Sequence, residues 1–445
     1  MPHCDTLILA GWCIPVEPHG LILTDHAVAI TDGRIVDILP AADARSGYEA
    51  GVLVERPDQV LIPGLINAHT HAAMTLFRGL ADDLPLERWL KEATWPAEKR
   101  WVGAEMVRDG TRLAIAEMLL GGCTCFSDQY FFPEIVAETA VDMHMRAMVG
   151  TPVVEFPTPW ADTAAECLNK GAELVHDRYA DHPLISSCFA PHSTATVSDK
   201  SFAELRVMAD QLDKRIQMHL HESAYEIEES IAATGIRPFE RIEKLGLVNS
   251  SLMAVHAVHL TNDEIVRFAQ AGVSVAHCPR SNLKLADGVA RVTDMQSAGI
   301  TVALGTDGAA SNNVLDMLGE MRTAALLAKT QSNDASNLPA AAALRMATLE
   351  GARALGLEDI AGSIEIGKSA DLTCVDLMHL NSQPVYDPLS QLVYTVQPQQ
   401  VHDVWVAGRH QVEGGHLNQI DQVDILKRTS EWRQRIHTHM HQETA

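Results

Sequence analysis

Val60-Leu61-Ile62-Pro63-Gly64-Leu65-Ile66-Asn67-Ala68-His69-Thr70-His71 is an apolar run that ends in two histidines spaced i, i+2. In a strand, side chains two apart project from one face. His69 and His71 then converge within reach of one metal ion, and imidazole suits zinc, iron and nickel. The chain holds 21 histidines, so a lone His-x-His carries little weight. Position adds to it here, at the end of a strand-like run containing Pro63-Gly64. The remaining ligands have to come from elsewhere in the chain.

Seven further runs share this character. Cys123 to Ser127, Arg146 to Gly150, Leu184 to Phe189, Ile216 to Leu220, Leu252 to Val258, Val273 to His277 and Thr301 to Leu304 are short and apolar. Amphipathic helical stretches separate most of them. Such alternation implies a parallel sheet. Eight units predict a (β/α)8 barrel. An open doubly wound sheet is the alternative, weakened because no Gly-x-Gly-x-x-Gly follows an early strand. In a barrel the working residues sit where strands end. Here the fourth run leads into His192, and the fifth carries His219, His221 and Glu222. The sixth holds His256 and His259, the seventh ends in His277, and the eighth leads into Asp307. Buried imidazoles and carboxylates at so many strand ends are costly unless paired or metal-bound.

Both chain ends read differently. Ala27 to Ile30 and Arg34 to Leu39 flank Asp32-Gly33, a hairpin signal. Asp371 to Val375 and Val401 to Gly408 are strand-like too. The expectation is a small β-sandwich domain built from both ends, over 1–59 and 366–430. The barrel then spans 60–365, and 431–445 form a helical tail.

Composition bounds the rest. Of 445 residues, 47% are hydrophobic and 21% charged, which allows a large core. The formal charge of −24 repels phosphate backbones, so no nucleic-acid partner is expected. The eight cysteines form no Cys-x-x-Cys and suit free thiols in a reducing compartment. No signal peptide is evident, and no apolar run approaches the roughly 18 residues of a membrane span. The expected location is the cytoplasm.

Taken together, Pro63 to His71, His219 with Glu222 three residues on, His256 and Gly305-Thr306-Asp307 resemble the amidohydrolase superfamily over nearly the whole chain. Gly305 to Asn313 is similar to its branch of triazine hydrolases and adenine-nucleoside deaminases. The resemblance implies that His69, His71, His219 and Asp307 hold one divalent metal, foremost zinc, with iron or manganese as alternatives. It implies that Asp307 takes a proton from water and passes it to the leaving group. Glu222 shuttles a proton to a substrate ring nitrogen, and His256 orients the attacking water and stabilises developing charge. Binuclear members carry a lysine at the end of strand four; here no lysine lies between Leu184 and Ser198, which implies a mononuclear site. His192 matches a substrate-contacting histidine, and Glu98 matches the carboxylate that binds ribose hydroxyls.

The implied activity is hydrolytic deamination of 5'-methylthioadenosine, S-adenosylhomocysteine or adenosine. A guanine, pterin or triazine hydrolase is the alternative. A metal-free interaction protein of the same fold is a third reading, disfavoured by the complete ligand set. Relatives form dimers or tetramers, so a homo-oligomer is expected. His221 reads as a packing or ligand-supporting residue. His259 and His277 read equally as ligand-orienting groups or ordinary buried contacts. His437, His439 and His441 read as incidental surface histidines. Trp89 and Trp95 follow the first strand, as a cover over the site or as core.

Overall fold

The structure, a computed structural model, describes residues 1–443, with side chains described through residue 438. Sixteen strands form two eight-stranded sheets. Four open the chain: β1 (His3–Cys13), β2 (Leu23–Thr31), β3 (Arg34–Pro40) and β4 (Glu49–Pro63). Eight follow: β5 (Leu65–Thr70), β6 (Cys123–Gln129), β7 (Arg146–Val153), β8 (Ile185–Pro191), β9 (Arg215–Leu220), β10 (Leu252–His256), β11 (Ser274–His277) and β12 (Val302–Leu304). The last four are β13 (Leu372–Asp376), β14 (Val401–Val406), β15 (Arg409–Glu413) and β16 (His416–Leu417).

Strands β5 to β12 lie side by side in chain order in one parallel sheet, the nearly closed barrel expected from the alternating pattern. Seven of the eight apolar runs read from the sequence fall on β6 to β12, to within one or two end residues, and the first straddles the end of β4 and the start of β5. Their side chains are buried on both faces, which explains why the runs are continuously apolar rather than alternating. The rim near the first and last strands is tight. Asp307 N–H donates to the His69 carbonyl at 3.0 Å. A Cβ on Gly305 would stand 2.9 Å from His69 N, so only glycine lets the chain pass there.

The other sheet joins the two chain ends in the order β16-β15-β14-β13-β4-β1-β2-β3. Only β1 and β4 pair in parallel; the remaining neighbours are antiparallel. It folds over itself as a sandwich: Ile8, Val28 and Ile30 share one core with Leu61, Leu372 and Trp405. The Asp32-Gly33 hairpin turn packs on the Ala407-Gly408 turn, where the Ala370 N–H donates to the Gly33 carbonyl at 2.8 Å.

By internal contacts the chain divides into two units. One comprises Met1–Ala68, Glu117–Cys125 and Asp316–Ile420, and holds the sandwich sheet. The other comprises His69–Ala116, Phe126–Leu315 and the chain from Asp421 onward, and holds every strand-end histidine named above. The final helix runs Gln422–Glu443, so helical structure begins before residue 431, where the sequence reading started the tail. Of the tail histidines, His437 is exposed, while the side chains of His439 and His441 lie outside the described residues.

Candidate active site

The strand ends deliver the imidazoles to one place. His69 is buried near the end of β5, and His71 follows one residue past the strand. His71 donates from Nδ1 to the Gln129 carbonyl at 2.6 Å, and His219 on β9 donates from Nδ1 to the His192 carbonyl at 2.8 Å. A ring whose Nδ1 carries the proton presents a bare Nε2 to its other side. His219 Nε2 accordingly faces His69 Nε2 at 3.2 Å. Asp307 Oδ1 completes the cluster, 3.2 Å from His71 Nε2 and 3.6 Å from His69 Nε2.

His256, at the end of β10, stands with them. Its ring stacks on that of His219 at 5.5 Å, and its Nε2 lies 3.5 Å from Glu222 Oε1. The ligand atoms of His69, His219, His256 and Asp307 lie within 4.8 Å of one another. This set differs from the sequence-derived one: His256 enters where the sequence reading put His71, although His71 reaches the same Asp307 oxygen. Five groups therefore converge where four ligands were expected.

The residues present fit a divalent cation. Burial pushes the ring pKa of His69, His219 and His256 down, to about 4 for His256, so the imidazoles are neutral and able to ligate. Burial would lower His71 too, but the Asp307 carboxylate overrides it and lifts that ring to about 9. The carboxylate thus calls for positive charge between itself and the rings, which a cation supplies. Three neutral imidazoles and a carboxylate make a zinc-type donor set.

The two carboxyl groups of the site titrate in opposite directions. Burial pushes Glu222 well above the usual range, reinforced by the charges of Asp287, Asp307 and Glu226. Burial acts likewise on Asp307, but hydrogen bonds from His69 and His71 outweigh it and hold that group well below its usual value. Glu222 sits on a strand-to-helix turn. Its N–H donates to Glu226 Oε2 at 2.8 Å, while Ser223 caps the helix Ala224–Thr234.

Glu98 lies in the first turn of the helix Trp95–Trp101 and lines the same pocket as His192, Glu222 and Asp307. Burial raises its carboxyl to about 7 against the opposing effect of the Tyr130 hydroxyl. His192 also opens on the pocket, its ring neutral because burial lowers it to about 4. Trp89, which is buried, and Trp95, which is 39% exposed, both line this pocket.

His221 and the other strand-end histidines do structural work. His221 accepts from the Phe239 N–H at 3.1 Å, and His259 Nε2 bonds the Asp287 carbonyl at 2.7 Å. His277 is buried, and its ring is pushed down to about 3.

Several groups escaped the sequence reading. Ser281 and Ser311 both donate to Asp307 Oδ2, at 2.6 and 2.7 Å, and so turn Oδ1 toward the imidazoles. Asn282 Nδ2 lies 3.0 Å from His256 Nδ1 and fixes that ring. Ser281 and Asn282 lie in Pro279-Arg280-Ser281-Asn282, shortly after the end of β11, and Ser311 lies in the run from Gly305 to Asn313. Backbone conformation is a second signature, visible only in three dimensions. His221, His256, Ala257 and Asp307 all have φ between 49° and 72°, a region costly for residues with a Cβ and common at functional sites.

Known proteins are similar to this chain over nearly its whole length. The model of the amidohydrolase family matches residues 60–410. A 5-methylthioadenosine/S-adenosylhomocysteine deaminase from Teredinibacter turnerae is 45% identical over 432 residues, covering 97% of this chain and 98% of its own. An adenosine deaminase from Xanthomonas campestris, solved with bound zinc, superposes with a TM-score of 0.97 at 51% identity, covering 98% of this chain and 99% of its own. The atrazine chlorohydrolase of Arthrobacter aurescens TC1, complexed with zinc, superposes at 0.89 with 26% identity, covering 96% and 99%.

Proposed function

The chain belongs to the amidohydrolase family, and from that premise we propose that it is a metal-dependent aminohydrolase of adenine nucleosides. Its substrates are 5'-methylthioadenosine, S-adenosylhomocysteine or adenosine, and its products the inosine-type nucleoside and ammonia. One observation carries the chemistry: ligand atoms of His69, His219, His256 and Asp307 lie within 4.8 Å of one another, with Glu222 Oε1 3.5 Å from His256 Nε2 in the same pocket.

His69, His71, His219 and Asp307 hold the metal in this reading, with His256 close enough to share or support it. A divalent ion bound there lowers the pKa of water toward neutrality. Asp307 accepts the first proton of the water that adds to C6, and passes it to the departing amino group. Glu222, whose carboxyl burial pushes above the usual range, gives a proton to the ring nitrogen N1 and makes C6 electrophilic. It recovers a proton from the new C6 hydroxyl as the C6–N bond breaks and ammonia leaves. His256, held by Asn282, orients the oxygen and steadies the charge that develops on it. Glu98 accepts hydrogen bonds from the two ribose hydroxyls, and His192 contacts the nucleoside.

Ammonia release from the three nucleosides, guanine and a triazine tests the reading. Glu98→Ala sharpens it: turnover of nucleosides falls at least about tenfold through lost hydrogen bonds to hydroxyls. Equal loss on a free base, which offers no ribose, would remove Glu98 from that role.

The same reading makes the protein a cytoplasmic homo-oligomer, a dimer or tetramer. The burial of all eight cysteines is compatible with the reducing compartment of this reading. Among the described residues no helix is long and apolar enough to cross a membrane. Light scattering on the purified protein measures the oligomeric state.

A further inference from the structure

Beside Glu98, Glu222 and Asp307, the active-site pocket is lined by Trp89, Leu90, Trp95, Phe131, Phe156 and Leu285. Trp95 and Phe156 are 39% and 45% exposed, unusually open for large aromatic side chains, and the surface they expose belongs to a pocket wall. Exposed apolar surface of this kind is stabilised when a ligand covers it. Among the described residues lining the pocket there is no lysine and no arginine. Its titratable groups other than histidine are Tyr130 and the carboxyls of Glu98, Glu222 and Asp307.

Helix geometry ties the apolar wall to the nucleoside. Trp95 stands three residues before Glu98 on the helix Trp95–Trp101, so the two share a face. A ribose held by Glu98 therefore lies beside Trp95, in a pocket whose remaining lining is largely apolar. A carboxylate brought there loses water and gains no cation in return. A methylthio group loses nothing polar and covers the exposed rings; sulfur also packs well against aromatic edges.

Resting on the nucleoside-deaminase reading, we infer that this pocket selects nucleosides with a small, neutral, apolar 5' substituent. 5'-Methylthioadenosine is the preferred substrate. Adenosine follows, with a hydroxyl in place of the methylthio group. S-adenosylhomocysteine, with its charged amino-acid tail, is rejected.

The test is kcat/KM for the three nucleosides on the full-length, metal-loaded enzyme, read by ammonia release. Methylthioadenosine is expected to exceed adenosine by about tenfold or more, the scale of one extra apolar group in a pocket. It is expected to exceed S-adenosylhomocysteine by at least about a hundredfold, since the tail carboxylate goes unpaired. Phe156→Arg adds the missing cation and is expected to shift the ratio toward S-adenosylhomocysteine by about tenfold or more. The wild-type ratio decides the matter even where that variant folds poorly. Turnover of S-adenosylhomocysteine within about threefold of methylthioadenosine overturns the selectivity and leaves the deaminase reading standing. Absence of ammonia from every nucleoside overturns both.

Discussion

Glu222 and Asp307 show how much a single side chain owes to its surroundings. Both are carboxylic acids in the same pocket, yet burial among other carboxylates raises one and hydrogen bonds from two imidazoles lower the other. Glu222→Gln keeps the shape and removes the proton. Its kcat is expected to drop by about a hundred- to ten-thousandfold, with metal content unchanged; ammonia release and metal analysis on one preparation report both. Near-normal turnover would exclude Glu222 as the proton carrier. Ser281 acts at one remove. It donates to Asp307 Oδ2 at 2.6 Å beside Ser311. Ser281→Ala is expected to weaken metal binding by about ten- to a hundredfold, the usual effect of removing a group that orients a ligand. Competition with a chelator measures it, and an unchanged affinity would mean that Ser311 alone orients the carboxylate. Hydroxyls such as these were not legible beforehand. Serine is common and polar everywhere, and only the fold shows which ones point at a carboxylate.

At the level of elements, the site depends on how strands end. β5 and β10 are buried throughout and β9 after Arg215, and the backbone turns left-handed at His256, which ends β10, and at His221, just past β9. The rim at Gly305 is the tightest of these points. Gly305→Ala would set a Cβ against the His69 backbone, 2.9 Å from N and 3.0 Å from O. Neither backbone atom can give way without moving β5. The expected cost is about 1–3 kcal/mol, as for other overpacked positions, seen as a lower denaturant midpoint at unchanged slope. Activity should fall with it, because His69 moves. A variant as stable and active as the parent would show that the rim is slack.

For the whole molecule, the sandwich sheet carries its own buried ion cluster. Burial alone would raise the Asp403 carboxyl, but His410, Arg56 and His402 outweigh it and hold it below the usual range. Arg56 reaches it at 2.6 Å and His410 at 3.1 Å. A carboxyl depressed in the folded state stabilises above its unfolded pKa, about 3.9, and that contribution is lost as pH falls toward the folded value. Asp403→Asn is therefore expected to be less stable at neutral pH, and to lose stability less steeply than the parent below about pH 4. Thermal melts across pH compare the two slopes, and parallel curves would exclude Asp403 as a source of acid sensitivity. The sequence by itself determined the barrel, the two-ended sheet and the strand ends that carry imidazole and carboxylate. Strand period and ligand chemistry are local, and they demand particular residue types at particular spacings. Packing alone brings His256 as close to the cluster as His71 and sets the Ser281 hydroxyl against Asp307. Those are meetings between residues far apart in the chain, set by packing, and no spacing along the sequence encodes them.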